Sequence, residues 1–296
     1  MGLAGWFARS RCGQGGDILD LPSLEGAVRQ CQAIFHCAAS TALWPPRDPK
    51  ITTTNLDGTR NVIDAAERQG IERVVYVGTA NSYGFGTKDQ PGTEVSPYRY
   101  GKYRLAYCDS KFKAQGMVLE RVREGRIDAV VVNPTYMLGP YDSGPSSGKM
   151  ILGFLQLALK VCPPGGRNFV HVQDVAAGMV SALERGRSGE CYILGHQNME
   201  WKEFFAAMGR VTGVEPPRIV VPKWLILFSG LAGSFTAARS GSPPTLSYEM
   251  ARVSCVGTYY SPAKAVRELD LPQTSIEAAI EDAYRWFADH GYLSDR

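Results

Sequence analysis

Apolar residues recur along the first two thirds of the chain in two alternating rhythms. Short continuous runs at 32–37, 73–77, 129–132 and 169–172 read as buried strands. Between them lie longer segments whose apolar positions fall three and four apart. Residues 56–69 read as a helix, with Val62, Ala65 and Ala66 on one face and Gly70 as its stop. Residues 106–124 read as a long helix with Ala114, Met117, Val118 and Val122 along its core face. A further helix is predicted at 174–185. Asn133-Pro134 ends the strand at 129–132, because a residue preceding proline is restricted in its backbone. Strands alternating with helices of this length predict βαβ units and a parallel sheet.

After about Gly195 the rhythm is less regular, and helices separated by Pro216-Pro217 and Pro243-Pro244 dominate. The uncharged stretch 224–238 lies between Lys223 and Arg239. It is shorter than the roughly 20 apolar residues a membrane span needs, and it reads as a buried or interfacial helix. A final helix is predicted from Thr274, with Glu277 completing a capping box and Ile276, Ile280, Ala283 and Phe287 as its apolar stripe. The pattern predicts an α/β chain in two parts. Residues 1–140 and 168–195 build a doubly wound parallel sheet. Residues 141–167 and 196–296 build a smaller, mainly helical lobe over the carboxyl ends of the strands, where open α/β folds bind ligands.

Composition narrows the function. With 296 residues the chain is long enough for about two domains at about 150 residues each. Lys plus Arg is 32 and Asp plus Glu is 29, a scattered net +3 that gives no electrostatic case for nucleic acid. Seven cysteines, an odd number without a Cys-x-x-Cys pair, argue against a disulfide framework and a structural zinc site. They suit a reducing, cytoplasmic compartment. Residues 1–16 lack the basic-then-apolar order of a secretory signal.

The sharpest chemical feature is Tyr107-Cys108-Asp109-Ser110-Lys111. A Tyr and a Lys four apart on a helix share a face. A phenol with a pKa of about 10 is a poor base at neutral pH. An ammonium about 4 Å away, at an effective dielectric near 20, contributes roughly 4 kcal/mol toward its ionisation, while burial opposes it. Upstream, the strand at 73–77 runs into Gly78-Thr79-Ala80-Asn81-Ser82-Tyr83-Gly84, which sets the Thr79 hydroxyl at the rim of the sheet. There it can hydrogen-bond a substrate oxygen while Tyr107 transfers the proton. His36-Cys37-Ala38-Ala39, Asn55-Leu56-Asp57-Gly58-Thr59, Asn133-Pro134-Thr135 and Arg167-Asn168-Phe169-Val170-His171 flank these motifs in order.

This ordered set resembles the extended short-chain dehydrogenase/reductase family, also called the NAD-dependent epimerase/dehydratase family. Within it the chain looks most like the dihydroflavonol-reductase and 3β-hydroxysteroid-dehydrogenase-like branch. The resemblance implies a Rossmann-like sheet, an NAD or NADP cofactor and a small-molecule substrate, and at family level a homodimer through the long helices. It implies that Tyr107 is the catalytic acid/base, that Lys111 lowers its pKa and holds the nicotinamide ribose, that Thr79 is the catalytic hydroxyl and that Asn55 supports the site. By the same resemblance Asp17 and Ile18 contact the adenine, Ala38 and Ala39 line the cofactor groove, and Pro134 and Thr135 lie beside the nicotinamide. Asn81, Tyr141 and Arg167 fall to the substrate. His171 and Asp174 are expected to form a strand-end hydrogen-bonded pair, His36 to be positional and Cys108 to be packing.

The family begins with a strand, a turn of the type Gly-x-x-Gly-x-x-Gly and a helix whose N–H groups bind the pyrophosphate. That unit is missing here: Gly2-Leu3-Ala4-Gly5-Trp6-Phe7-Ala8 imitates the turn only loosely and has no strand before it. The expectation is therefore an N-terminally truncated form, with the strand at 32–37 left unpaired on one edge and cofactor binding weakened. The leading reading is an oxidoreductase moving a hydride between NAD(P) and a secondary alcohol or ketone. A nucleotide-sugar epimerase with the same triad is the alternative, on the strength of Arg167, and a cofactor-deficient pseudoenzyme is a third. A dehydratase is disfavoured because Ala80-Asn81, not Asp-Glu, comes after Thr79.

Overall fold

The run Ala129–Pro134 is buried at every position, which a strand achieves only when both faces of its sheet are covered. The computed structural model, which describes residues 15–157 and 160–293, shows how that cover is built. Helix α1 (Leu21–Val28) leads to β1 (Ala33–His36). Helix α2 (Pro49–Thr52) continues through a π-helical turn, Thr53–Asp57, into α3 (Gly58–Arg68). Next come β2 (Arg73–Val77), α4 (Ala106–Arg123), β3 (Ala129–Pro134), β4 (Tyr136–Leu138), α5 (Lys149–Leu157), β5 (Val161–Cys162), β6 (Gly166–His171) and α6 (Val172–Arg185). The rest comprises β7 (Cys191–Leu194), β8 (Gln197–Glu200), α7 (Trp201–Thr212), β9 (Ile219–Val220), α8 (Lys223–Ser240), α9 (Tyr248–Ser254), β10 (Gly257–Thr258), α10 (Ala263–Leu269) and α11 (Ile276–Asp289).

The main sheet is parallel, in the order β1-β2-β3-β7, with His36 opposite Tyr76 and Tyr76 opposite Val131. Side chains alternate across it. Val74 and Tyr76 pack toward α3 and α4, against Ile63, Ala66, Ala114 and Val118. Val75 packs the other way with Val175, Ala182 and Leu269 from α6 and α10. This is the Rossmann-like arrangement expected. Among the described residues, β1 pairs with β2 on one side only. Residues 1–14, which include the Gly2–Ala8 stretch, lie outside the described residues.

The strand expected at 169–172 does form, but it belongs to a second sheet. There β6 pairs parallel with β4 and β10 and antiparallel with β8. The fourth place in the main sheet goes to β7, the run Cys191–Leu194, which is not among the strands expected from the sequence. Over the second sheet lies an aromatic core in which Phe169 stacks on Phe204 at 4.2 Å, with Trp201, Phe205 and Phe287 around them.

Two local expectations need correction. The cap of α11 is Ser275, which accepts from the Ala278 amide at 3.3 Å, one residue beyond the expected Thr274. Thr274 instead gives its amide and hydroxyl to Asp174, at 2.8 and 2.7 Å. His171 and Asp174 do not pair with each other: His171 Nδ1 caps α6 by accepting from the Gln173 amide, and its Nε2 meets Asp282 at 3.1 Å. Both stay structural, tying α6 to α11 and to the turn before it. Of the two readings for 224–238, buried or interfacial, α8 is not the buried one: Trp224, Leu225, Phe228, Leu231 and Phe235 face outward, Ile226 and Leu227 are half-buried, and only Gly230 and Ala237 are buried.

Candidate functional site at the carboxyl end of the sheet

Strand β2 ends at Val77, and a ring of amides fixes the backbone immediately beyond it. Gly78 has to be glycine, since a Cβ there would lie 2.4 Å from Asn133 Nδ2. That Nδ2 donates to the Thr79 carbonyl at 3.1 Å and to Gln115 Oε1 at 2.7 Å. Gln115 Nε2 donates to the Tyr83 hydroxyl at 2.9 Å, which donates in turn to Asn133 Oδ1 at 3.3 Å. Asn133, Gln115 and Tyr83 are all buried, so the network holds the backbone of Thr79 rigidly. Thr79 is extended, and its Oγ1 accepts from the Asn81 amide at 3.3 Å. Its own proton is left for another acceptor.

Helix α4 carries Tyr107 and Lys111 to this point. The Tyr107 hydroxyl interacts with the hydroxyl of Thr79, which eases its ionisation, but burial dominates and pushes the phenol up to about 12. Lys111 is buried. Its Nζ donates to the Val77 carbonyl at 2.6 Å and lies 4.6 Å from the Tyr76 ring centroid. Burial lowers its pKa to about 8, partly countered by the Cys37 thiol. The shift of the Tyr107 phenol is set mainly by burial, with the Thr79 contact opposing it. The ammonium is turned onto a strand-end carbonyl, and desolvation of the phenol outweighs the help it receives. At neutral pH this phenol keeps its proton.

Asn55 sits in the π-helical turn between α2 and α3, a feature found often at functional sites. Its Oδ1 accepts from the Ser40 amide at 2.7 Å, and its Nδ2 donates to the Ser40 carbonyl and to Ser110 Oγ, each at 3.0 Å. Ser110 Oγ donates onward to the Tyr107 carbonyl at 3.0 Å. Asn55 thus clamps the loop after β1 to the first turns of α4. His36, at the end of β1, has Nε2 2.9 Å from Thr59 Oγ1. Because Thr59 donates its proton to the Asn55 carbonyl at 2.7 Å, His36 must be the donor, which assigns the Nε2–H tautomer. Burial, then Lys111, lowers His36 to about 4, so it is neutral and positional as expected.

Beyond His36 the chain leaves a ledge of small side chains, with Ala38 exposed and Ala39 half-buried. Ile18 lies against Gly58, where a Cβ would come within 2.6 Å of its Cδ1, and its carbonyl accepts from Asn61 Nδ2 at 3.0 Å. Asp17 is exposed and accepts from the Leu19 amide at 2.9 Å. On the other side of Thr79 is a cavity of about 80 Å³, whose wall includes Asn81, Pro134, Thr135, Arg167 and Tyr260. Arg167 does not point freely into it. Its guanidinium donates to the carbonyls of Gly166, Val256 and Val253 at 2.8, 3.0 and 3.2 Å, and packs 5.1 Å from the Trp201 ring. Tyr141 stands apart from this cavity. It is 79% exposed, with its ring 6.3 Å from that of Trp286.

A protonated phenol, a threonine hydroxyl and an adjoining cavity together can hold and protonate an oxygen atom. A nucleophile is not offered by Cys108, whose thiol burial pushes up to about 12. Among the described residues, no group of three or more His, Cys, Asp or Glu could hold a metal. Sequence reading missed the support given by Gln115 and Tyr83. The signal for Gln115 was available, since a polar residue four beyond Lys111 repeats on the core face of α4. Thr258 and Tyr260 also join the cavity wall, and no local pattern marks them.

Residues 7–195 match the NAD dependent epimerase/dehydratase family. A protein of Synechocystis sp. that carries the name dihydroflavonol 4-reductase is 35% identical over 283 residues, covering 94% of this chain and 82% of its own. Sterol demethylase protein B of Methylococcus capsulatus is 29% identical over 288 residues, covering 94% and 85%. The crystal structure of gox2253 aligns with a TM-score of 0.81 at 32% identity, over 94% of this chain and 85% of that one. The parallel sheet, the helical cover and these extended likenesses agree: the chain belongs to the NAD-dependent epimerase/dehydratase family of extended short-chain dehydrogenases/reductases.

Proposed function

We propose that the protein is an oxidoreductase that moves a hydride between NAD(P) and a secondary alcohol or ketone of a small molecule, with Tyr107 as its acid/base. The observation that carries this reading is the meeting of the Tyr107 and Thr79 hydroxyls at the end of β2, beside the cavity. A phenol held near 12 is protonated at pH 7, so in reduction Tyr107 gives its proton to the carbonyl oxygen as negative charge develops there. Thr79 Oγ1 donates a hydrogen bond to the same oxygen, its backbone held by Asn133. Lys111, charged below about 8, opposes the negative charge left on the phenol. Asn55 keeps the first turns of α4 in place.

The nicotinamide end of a dinucleotide fits the residues present. The ledge of Ala38 and Ala39 leaves room for it, and the buried Lys111 ammonium has donors beyond the one given to Val77, suited to ribose hydroxyls. Pro134 and Thr135 would flank the ring, and Asp17 and Ile18 would meet the adenine end. Bound there, the cofactor supplies or accepts the hydride. The described residues contain no glycine-rich strand–turn–helix unit for the pyrophosphate. On the substrate side stand Asn81 and Arg167.

Support for reduction comes from the Synechocystis relative, which spans 94% of the chain and carries a reductase's name. A nucleotide-sugar epimerase is the second reading, supported by Arg167 in the cavity wall. It is weakened because three backbone carbonyls already hold the guanidinium. The test is a panel of ketones, flavonoid-like compounds, sterols and nucleotide sugars with NADH and NADPH. Tyr107→Phe should lower turnover about 10³-fold with cofactor binding retained. Wild-type turnover in that variant refutes the assignment. Failure of the folded protein to bind either cofactor supports the pseudoenzyme reading instead.

A further inference from the structure

Helix α8 shows solvent its largest side chains. Trp224, Phe228, Leu231 and Phe235 are 68, 66, 56 and 58% exposed, and their spacing of four, three and four sets them in one stripe. Leu225 widens the stripe, and Ile219 and Val220 of β9 precede it, exposed as well. The packed face of the helix carries the half-buried Ile226 and then only small residues, Gly230, Gly233 and Ala237. A Cβ on Gly230 would come within 2.5 Å of Ala251 Cβ, and one on Gly233 within 2.4 Å of the Leu246 carbonyl. The helix is inverted relative to an ordinary core helix. It needs glycine to lie close to α9, and it keeps its aromatic residues outside.

Charge identifies what the stripe meets. Residues 219–248 contain no Asp or Glu, while Lys223 and Arg239 stand at the two ends of the helix. The Arg239 guanidinium lies 4.6 Å over the Phe235 ring, so its stem covers apolar surface while its charge reaches outward. The first carboxylate beyond this stretch is Glu249 of α9, in the same helix as Arg252, whose half-buried guanidinium lies between the Tyr103 and Tyr248 rings at 5.2 and 5.9 Å. We propose that α8 docks the protein on an anionic lipid surface. It lies flat, with Trp224, Phe228, Leu231 and Phe235 at the headgroup boundary and Lys223 and Arg239 on the phosphates. Among the described residues no helix is long and apolar enough to cross a membrane, which suits lying on it. A second copy fits the stripe less well. Two-fold pairing of α8 with itself would set basic ends against each other with no carboxylate between them.

The experiment is flotation of the full chain with vesicles of phosphatidylcholine alone and with about 30% phosphatidylglycerol, at low and high salt. Binding is expected on the anionic vesicles, weaker at high salt and at least about tenfold weaker on the neutral ones. Phe228→Ser/Phe235→Ser should reduce it at least about tenfold, and so should Lys223→Gln/Arg239→Gln. All four side chains are on the outer face, and circular dichroism melts check that the variants stay folded. Absence of vesicle binding by the folded wild type, or binding that neither pair of substitutions changes, overturns the proposal. So does a concentration-dependent dimer in sedimentation that Phe228→Ser/Phe235→Ser dissolves while vesicles are not bound.

Discussion

Raising the pH should stabilise this fold and silence its site together, and Lys111 is the cause of both. Burial lowers its ammonium from the usual 10.5 to about 8. At about 1.4 kcal/mol per pH unit, that interval corresponds to about 3 kcal/mol. Between those two values the unfolded chain binds a proton that the folded chain has released. Stability from this residue is therefore fully present above 10.5 and is lost as the pH falls through about 8. The perturbation is Lys111→Met, which removes the titration and keeps an apolar stem over Tyr76. The assay is urea unfolding of both proteins across this range, each read as a free energy difference. Other groups titrate alike in both, so their difference isolates Lys111. Wild type should gain up to about 3 kcal/mol on the variant as the pH rises from below 8 to above 10. Over the same interval, wild-type reduction should decline as the Lys111 charge disappears from the site. Parallel stability curves for the two proteins would refute the reasoning, since they would mean that Lys111 is solvated enough to keep its proton.

Neighbouring residues carry further expected outcomes. His36 is neutral in the fold, with its pKa lowered from 6.5 to about 4, so stability of about 3 kcal/mol should be lost as the pH falls from 6.5 through 4; His36→Gln should flatten that part of the urea profile. Asn55→Ala leaves the Ser40 amide and carbonyl without their partner and should cost about 2–4 kcal/mol in thermal unfolding, with turnover reduced because α4 loses its clamp. Gly78→Ala sets a methyl group against Asn133 Nδ2 and should destabilise the fold by about 1–3 kcal/mol while displacing Thr79, read as a lower kcat in the reductase assay.

Much of the architecture is legible in the sequence because it is local. The buried runs at 32–37, 73–77 and 129–132 are the first three strands of the main sheet, and the helix expected at 106–124 is α4 to within one residue. Continuous apolar runs and three-four spacing need no knowledge of what lies across the core. The departures share a different cause. Alternation of strands and helices places the run at 169–172 in the main sheet, yet its partners are β4, β8 and β10, one of them far away in sequence. In α8, an uncharged apolar stretch reads as a helix seeking cover, yet the side that packs is chosen by the glycines facing α9.

The site divides along the same line. Spacing alone puts Tyr107 and Lys111 on one face of a helix, and strand-end chemistry puts Thr79 at the rim. The pattern of small residues after β1 marks an open ledge. What spacing does not give is the direction of each dipole and charge. Only the folded chain turns the Lys111 ammonium onto the Val77 carbonyl and sets Tyr107, half-buried, where its phenol is pushed up and keeps its proton. Only the folded chain closes Asn133, Gln115 and Tyr83 around Thr79. Periodicity determines which helix faces and strands are apolar enough to be covered. Desolvation and hydrogen-bond geometry, which depend on residues distant in sequence, decide what the covered residues can do.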